Sequence, residues 1–327
     1  MRTRRLPSGR LELTELGLGG AAAGNLYHAV GDAEVAAAVD RAWAHGIRYV
    51  DTAPHYGLGL SERRLGRLLR GRPGLVLSTK VGRLLEPDPD GAGRRDDEGF
   101  DVPATAVRVR DYSRAGVLRS LHDSLDRTGL HRVDLVLVHD PDEHVEQAVR
   151  EAVPALVELR EQGVVGAVGV GMNHVAPLCE IVRRTELDVV MVAGRYTLLE
   201  QPAAAELLPL AATRGTAVVV AGVYNSGLLA RPRPAADARY DYLPAPTRLL
   251  ERVHRLADVC DEHATTLPAA ALAFALAHPA VVSVLVGAHT AAQVDEAVQR
   301  YQAPPPAPLW DALRRRGLLP DDAVAPA

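Results

Sequence analysis

Short apolar runs alternate along this chain with longer segments in which apolar residues recur at the helical period of ~3.6 positions. The short runs are rich in Val, Ile and Leu and lack the strict alternation of a strand with one face in water, as expected of parallel strands covered by helices. The pattern therefore predicts repeated strand-helix units. The predicted strands are Glu15–Leu18, Arg48–Asp51, Leu75–Thr79, Val133–His139, Val164–Val170, Val189–Val192, Thr216–Val220 and Val282–Val286.

Helices are predicted between these strands. The first begins at Asp32, a residue type suited to N-capping, and places Val35, Val39 and Trp43 on one face. The predicted helices are Asp32–His45, Ser61–Leu69, Ser113–Thr128, Val145–Glu161, Val175–Arg183, Pro202–Thr213, Thr247–Glu262 and Ala291–Arg300, with a short additional helix at Pro268–Leu276.

Eight strand-helix units predict an α/β fold of the (β/α)8, or TIM, barrel class, as one domain over residues 1–327. Before the first strand, the segment Leu6–Leu11 predicts a hairpin with its turn at Ser8-Gly9, placed to close the bottom of the barrel. Residues 302–327, rich in Pro and Ala, are interpreted as a C-terminal tail that wraps or frays.

Two long segments interrupt the regular alternation. Leu85–Arg110 is polar and rich in Pro and Gly and follows the third strand, and Ala230–Pro246 follows the seventh. Segments that follow strands lie at the C-terminal face of a barrel, where active sites form. They are either disordered insertions or long loops that cover substrate and cofactor.

Composition and charge narrow the class of protein. A chain of 327 residues, 47% hydrophobic, can bury a large core without disulfides, and its two cysteines, Cys179 and Cys260, lie in predicted helices as buried, reduced thiols. The basic N-terminus is interrupted at Pro7 before an apolar run of signal-peptide length, and no apolar stretch is long enough for a membrane span. A net charge of −4 gives no electrostatic basis for nucleic-acid binding. We expect a cytoplasmic protein of undetermined oligomeric state.

Four polar residues lie at or just after predicted strand ends: Asp51, Tyr56, Lys80 and His139. Among 37 basic residues, Lys80 is the only lysine. In a barrel these ends meet at one mouth, where an ammonium would lower the pKa of a phenol, ~10 in water, and a carboxylate would hold the ammonium. Singly, each residue has an ordinary alternative role: a helix cap, a loop anchor, a solvated amine or a core imidazole.

The segments that carry these four residues resemble the signatures of the aldo-keto reductase family. They are Asp51-Thr-Ala-Pro-His-Tyr56-Gly, Ser78-Thr-Lys80-Val-Gly and Val136-Leu-Val-His139-Asp, followed by Gly163-Val-Val-Gly-Ala-Val-Gly-Val at the fifth strand. The resemblance covers essentially the whole chain. It implies that Tyr56 is the general acid or base, that Lys80 tunes it, that Asp51 pairs with Lys80 and that His139 orients the substrate oxygen.

Other stretches are most similar to the bacterial aldose 1-dehydrogenase branch of that family, which includes L-fucose, D-threo-aldose and galactose dehydrogenases and is shared by pyridoxal 4-dehydrogenase-like enzymes. They are Arg195–Pro202, Tyr224–Leu229, Tyr240–Pro246 and Leu267–Leu272. The resemblance implies oxidation of an aldose at C1 to an aldonolactone, and an NADPH-dependent aldehyde, ketone or pyridoxal-type carbonyl reductase is the alternative. The polar residues in strand-end loops that are candidates for binding a sugar or carbonyl substrate are His28, His55, Arg195 and Tyr240.

The resemblance also implies a nicotinamide cofactor. Asn173 would hold the carboxamide, although Met172 precedes it where the family has Ser, and Ala193 stands where the family has Gln. The residues placed around the pyrophosphate and adenosine are Tyr224, Asn225, Ser226, Gly227, Gly287, Ala288, His289, Thr290 and Gln293. Because Gly287 and Gln293 replace the cations that hold a 2′-phosphate, NAD is favoured over NADP, which stays possible.

Three other classes are weighed. A Rossmann dehydrogenase is opposed by the incomplete glycine fingerprint at Gly17-Leu-Gly19, after which a helix starts only at Asp32. A non-enzymatic nucleotide-binding barrel would need none of the four polar residues. A metal hydrolase would draw on His55, His139, Asp140 and His144, but they lack metal-ligand spacing, so no metal is expected.

Overall fold

A closed barrel of eight parallel strands forms the core of the computed structural model, which describes residues 1–235, 237–241 and 243–326. The strands pair in chain order and the last returns to the first, so all eight predicted strands and the barrel are confirmed, whereas a Rossmann sheet is excluded. The strands are β1 (Leu16–Gly19), β2 (Tyr49–Asp51), β3 (Val76–Val81), β4 (Leu135–His139), β5 (Ala167–Met172), β6 (Val189–Ala193), β7 (Ala217–Ala221) and β8 (Val281–Gly287).

The strand limits differ most at β5, which begins at Ala167 instead of the predicted Val164. Gly163 has a φ of +75°, the left-handed conformation that ends a helix, and the Val164 N–H donates to the carbonyl oxygen of Leu159. Val164 thus closes the preceding helix and is exposed, although its side chain is apolar.

All the predicted helices are present, but two are interrupted. Residues 145–161 comprise a short turn (Val145–Gln147), a π-helical segment (Ala148–Ala152) and a regular helix. Pro154 has no N–H to contribute to the helical hydrogen bonds, and this accounts for the wider π-helical turn before it. The helices are α1 (Asp32–Ala44), α2 (Leu60–Leu69), α3 (Arg114–Thr128), α4 (Val153–Glu161), α5 (Val175–Arg184), α6 (Leu207–Arg214, after a short Pro202–Ala205 helix), α7 (Thr247–Glu262), α8 (Leu267–Ala277), α9 (Ala291–Gln302) and α10 (Pro308–Arg315).

The predicted N-terminal hairpin closes the barrel floor. Strand Thr3–Arg5 pairs antiparallel with Glu12–Thr14, and Gly9 takes a φ of +73° in the turn. Leu6 and Leu13 are fully buried against side chains that fill the barrel interior. The hairpin therefore seals the end opposite to the strand carboxyl ends.

Both long segments contain antiparallel strand pairs that the sequence pattern did not reveal. Arg83–Pro87 pairs with Ala106–Arg110, and Arg239–Tyr240 pairs with Leu243–Pro244. The disordered interpretation of the first segment is therefore wrong. Of the second, Ala236 and Tyr242 lie outside the described residues.

The tail is also more ordered than predicted. Helix α10 buries Trp310, whose ring centroid lies 6.5 Å from that of Phe274 in α8. The apolar pattern of this helix is short and is flanked by proline-rich segments, so the sequence did not reveal the helix. No helix in the described ranges is long and apolar enough to cross a membrane. One domain over residues 1–327 stays a prediction.

Candidate active site

The four polar strand-end residues converge at the barrel mouth. The Lys80 Nζ donates to Asp51 Oδ2 (2.6 Å) and to the Tyr56 hydroxyl oxygen (3.1 Å). The His139 ring lies 6.1 Å from the Tyr56 ring in an edge-on arrangement. The structure thus brings together all four residues selected from the sequence.

Neighbouring strands fix the orientation of this group. Lys80 in β3 lies beside the end of β2, where its third donor reaches the Thr52 carbonyl oxygen at 3.0 Å. The Ser78 hydroxyl donates to the other carboxylate oxygen of Asp51, Oδ1, at 2.6 Å. Both charged side chains are buried, and a buried ion pair keeps its geometry only when its remaining donors and acceptors are satisfied in this way.

Burial and charge act in opposite directions on the two proton carriers. Burial raises the pKa of the Tyr56 phenol above its ordinary value of 10.0, although the Lys80 ammonium lowers it. Burial by itself lowers the pKa of Lys80, but Asp51 and Tyr56 raise it to about 12. Lys80 therefore lowers the phenol pKa as expected, but desolvation raises it by more, and the net pKa lies above the ordinary value. Lys80 stays an ammonium.

His139 is held neutral. Burial, followed by the charges of Arg83 and Lys80, places its pKa well below the ordinary value of 6.5. Its Nε2 lies 3.5 Å from Asp140 Oδ2, and its Nδ1 has no hydrogen-bond partner among the described residues. A neutral imidazole can donate one hydrogen bond to a substrate oxygen without competing for the transferred proton.

A second ring of charges surrounds the four residues, and sequence reasoning missed most of it. Arg83 contacts the Asp140 carboxylate and lies 3.3 Å from His55 Nδ1. Arg108, from the hairpin in the first long segment, donates to both oxygens of Asp96 (2.5 and 3.1 Å). Asp140 is the first residue after β4 and Arg83 is the second after β3, so their position after strand ends was a signal in the sequence. Arg108 and Asp96 carry no such signal.

The candidate substrate residues take different environments. His55 lies at the site, its ring 5.6 Å from the His139 ring, and burial with the charges of Arg83 and Arg108 lowers its pKa to about 2. The His28 ring lies 4.3 Å from that of His289, a residue assigned to the adenosine side.

Arg195 and Tyr240 are engaged in a network that ties the segments after β6 and β7 together. Arg195 forms two hydrogen bonds with Asp241 (2.7 and 3.2 Å), and the Tyr240 hydroxyl donates to Glu200 (2.7 Å). Asn225 Nδ2 donates to the same Glu200 carboxylate at 3.1 Å. Arg195 and Tyr240 therefore hold these loops in place through their contacts with Asp241 and Glu200. Their contact with substrate stays a prediction.

The residues assigned to the nicotinamide and the pyrophosphate fit such a group. Asn225 is buried with its Oδ1 lacking a partner in the described ranges, an acceptor left for a donor from outside the chain. Asn173 lies at the end of β5, and its own carbonyl oxygen accepts from Arg195 Nε at 2.9 Å, which fixes the backbone there. Asn225, Ser226 and Gly227 share the left-handed conformation, which brings the chain tightly around this corner.

The adenosine side also fits. A side chain at Gly287 would meet nothing within 4 Å, so there is room after β8. Thr290 is the N-cap of helix α9, and its hydroxyl accepts from the Gln293 N–H, while other first-turn N–H groups remain for an anion. Burial, followed by the neighbouring His28, lowers the pKa of His289, so this imidazole is no fixed cation. Ala288 lies between Gly287 and His289 in the same turn.

Metal chemistry finds no support in this arrangement. In residues 1–235, 237–241 and 243–326, no group of three or more His, Cys, Asp or Glu side chains is placed to hold a metal ion. The His144 ring lies 5.2 Å from that of Tyr112.

A buried carboxylate-ammonium pair, a phenol and a neutral imidazole meet at the mouth of this (β/α)8 barrel, and such a set of groups is able to move a proton at a substrate oxygen. The chain belongs to the aldo/keto reductase family, whose model matches residues 15–312. It is therefore an oxidoreductase of the class that works with a nicotinamide cofactor.

Similar proteins agree with this class. The chain is 45% identical to the D-threo-aldose 1-dehydrogenase of a Pseudomonas species over 95% of this chain and 96% of that protein. It is 40% identical to the pyridoxal 4-dehydrogenase of Microbacterium luteolum over 94% and 95% of the two chains. Among solved structures, the holo form of an aldo-keto reductase from Bacillus halodurans matches with a TM-score of 0.75 and 26% identity, covering 100% of this chain and 97% of that one.

Proposed function

We propose that this enzyme oxidises an aldose at C1, as its cyclic hemiacetal, to the aldonolactone, with NAD as the hydride acceptor. The observation that carries the proposal is the Tyr56 hydroxyl held 3.1 Å from the Lys80 ammonium, whose pKa is raised to about 12, beside a neutral His139. That geometry suits removal of a proton from a bound hydroxyl.

In this mechanism Tyr56 acts as the general base. Its phenolate accepts the proton of the anomeric hydroxyl, Lys80 stabilises the phenolate, and Asp51 keeps the ammonium in place. His139 donates a hydrogen bond to the same substrate oxygen. The C1–H bond breaks with its electron pair while the C1–O double bond forms. An oxidised nicotinamide, when bound, would supply the acceptor for that hydride.

The sugar substrate is supported by the chemistry of the mouth. A polyol needs hydrogen-bond partners, since each buried hydroxyl left unpaired costs ~1–3 kcal/mol. The mouth offers carboxylates, guanidinium groups and the neutral imidazole of His55 close to Tyr56. The name of the 45% identical relative points the same way.

The preference for NAD over NADP rests on the start of α9. A 2′-phosphate needs a fixed cation, but Gly287 and Gln293 supply none and His289 is neutral. Glu34 is close enough to act electrostatically on His289 and would repel a dianion. We therefore infer that kcat/KM is higher with NAD.

A second candidate is oxidation of pyridoxal, because a pyridoxal 4-dehydrogenase is 40% identical to the chain. Pyridoxal also reacts as a cyclic hemiacetal, so the same residues would act on it. Carbonyl reduction with NADPH is the remaining alternative.

One substrate screen tests these candidates. The purified enzyme is assayed with aldoses and pyridoxal with NAD and with NADP, from neutral to alkaline pH, and a lactone product is trapped chemically. We expect NADH and a lactone from at least one aldose. Failure of every aldose, together with ready reduction of aldehydes or ketones by NADPH, would make the enzyme a carbonyl reductase instead.

A further inference from the structure

A charged pair lies next to the proposed catalytic residues, and the reaction described above does not use it. Arg83 contacts the Asp140 carboxylate through Oδ2, and that same oxygen is 3.5 Å from His139 Nε2. Arg83 is buried, whereas the side chain of Asp140 keeps 26% of its surface exposed. The carboxylate thus lies between a buried guanidinium and the imidazole that faces the substrate.

The backbone of Asp140 is left-handed. Its φ is +44°, a value that is uncommon outside glycine but that Asp and Asn adopt more readily than other residues. The Asp140 N–H donates to the Gly171 carbonyl oxygen at 2.9 Å. The buried Tyr112 hydroxyl lies 2.7 Å from the carbonyl oxygens of both His139 and Asp140, so its single proton is shared between the two acceptors. These backbone contacts fix the position of Asp140 before a ligand binds.

One carboxylate oxygen is left for a ligand. The contacts of the Asp140 side chain with the described residues all use Oδ2, so Oδ1 has no partner in that part of the chain. Arg83 is itself held by His55 and lies 3.8 Å from Glu98. An ionised acceptor of this kind makes hydrogen bonds about twice as strong as a neutral one.

We propose that Asp140 is a specificity-determining residue that accepts a hydrogen bond from the hydroxyl on the carbon next to the oxidised one, and that Arg83 positions it. The assignment rests on the proposed function. If His139 Nε2 donates to the oxygen on C1, the C2 hydroxyl of an aldose falls beside it, because the two oxygens of a vicinal diol lie about one hydrogen-bond length apart. Asp140 is the acceptor adjacent to that position.

The test compares an aldose that the enzyme oxidises with the 2-deoxy sugar of the same configuration. Wild-type enzyme should prefer the aldose in kcat/KM by at least about 10-fold, the lower limit for losing a hydrogen bond to a charged group. The preference should shrink in Asp140→Asn and disappear in Asp140→Gly. Both replacements tolerate the left-handed backbone, so each variant can fold.

Two further arms separate this role from a structural one. Asp142→Asn is a matched control, because Asp142 has the same exposed fraction but pairs with His174, and it should keep the wild-type preference. Arg83→Met should reduce the preference and Arg83→Lys should restore part of it, since a lysine keeps the charge without the planar fork.

The outcomes identify which proposal is wrong. If wild-type enzyme oxidises the aldose and its 2-deoxy analogue equally well, or if the Asp140 variants slow both by the same factor, the subsite is wrong while aldose oxidation stands. If no aldose is oxidised at all, the proposed function is wrong and the subsite is rejected with it. Loss of preference in Asp142→Asn would also reject the assignment to Asp140.

Discussion

At the scale of single residues, Tyr56 carries the proposed proton transfer. In Tyr56→Phe the ring still packs beside Lys80 but has no proton to exchange, so kcat should fall by at least ~10²-fold. Cofactor affinity, measured by fluorescence quenching, should be almost unchanged. Tyr196→Phe is the matched control, because the Tyr196 ring packs against that of Phe274 and its buried hydroxyl has no hydrogen-bond partner in the described ranges. A Tyr56→Phe enzyme with near-normal turnover would refute the assignment.

The same residue sets the expected pH dependence. Burial raises the pKa of Tyr56 above 10.0, so the phenolate needed for oxidation is a minor form at neutral pH and increases as pH rises. The kcat/KM for oxidation should therefore climb up to pH 10.0 or beyond, with no fall from Lys80, whose pKa is about 12. Initial rates of NADH formation against pH test this. A plateau already reached at neutral pH would show that Tyr56 is not the base.

At the scale of elements, we predict that the turn between β8 and α9 sets the preference for NAD over NADP. Gln293 lies in the first turn of α9, where its side chain accepts from the His289 N–H and brings no charge. Gln293→Arg places a cation there and should raise kcat/KM with NADP while changing that with NAD much less. Arg300→Gln, further along the same helix, removes a cation instead of adding one, so it should not raise kcat/KM with NADP. An unchanged NAD:NADP ratio in Gln293→Arg would place the 2′-phosphate elsewhere.

The N-terminal hairpin is an element of stability rather than of catalysis. Leu13 is fully buried against the barrel floor, so Leu13→Ala should cost about 2–5 kcal/mol of unfolding free energy through lost burial and a cavity. Because the floor is opposite to Tyr56, kcat at low temperature should be retained. Leu11→Ala, at a half-buried position of the same hairpin, should cost less. Chemical denaturation of the three proteins provides the comparison, and equal losses would contradict the packing.

At the scale of the whole molecule, we predict that residues 1–327 unfold as one cooperative unit. The two tryptophans report on different parts: Trp43 in α1, beneath Arg48, and Trp310 in α10, against α8. In Trp310→Phe and Trp43→Phe the remaining tryptophan is the sole reporter. Both fluorescence transitions should coincide with loss of helical circular dichroism. An earlier transition for Trp310 would make the C-terminal helix a separate unit.

The sequence by itself determined the barrel and the four central residues. The apolar period marks each strand and helix without reference to the rest of the chain, and a closed parallel sheet brings every strand carboxyl end to one mouth. Asp51, Tyr56, Lys80 and His139 could therefore be selected together, and the single lysine strengthened the selection. The hairpin was predicted over Leu6–Leu11 because its turn is a local signal, whereas the paired strands lie on either side of that segment, at Thr3–Arg5 and Glu12–Thr14.

Only the tertiary structure decided what surrounds those residues. The pairing of Arg83 with Asp140, the link from Glu200 to Tyr240 and the placement of Trp310 join positions with no common period. The direction of the Tyr56 pKa shift also depends on how completely the phenol is removed from water, which burial sets and sequence spacing does not. Local patterns fix elements, whereas desolvation and long-range ion pairs arise only once those elements are packed together.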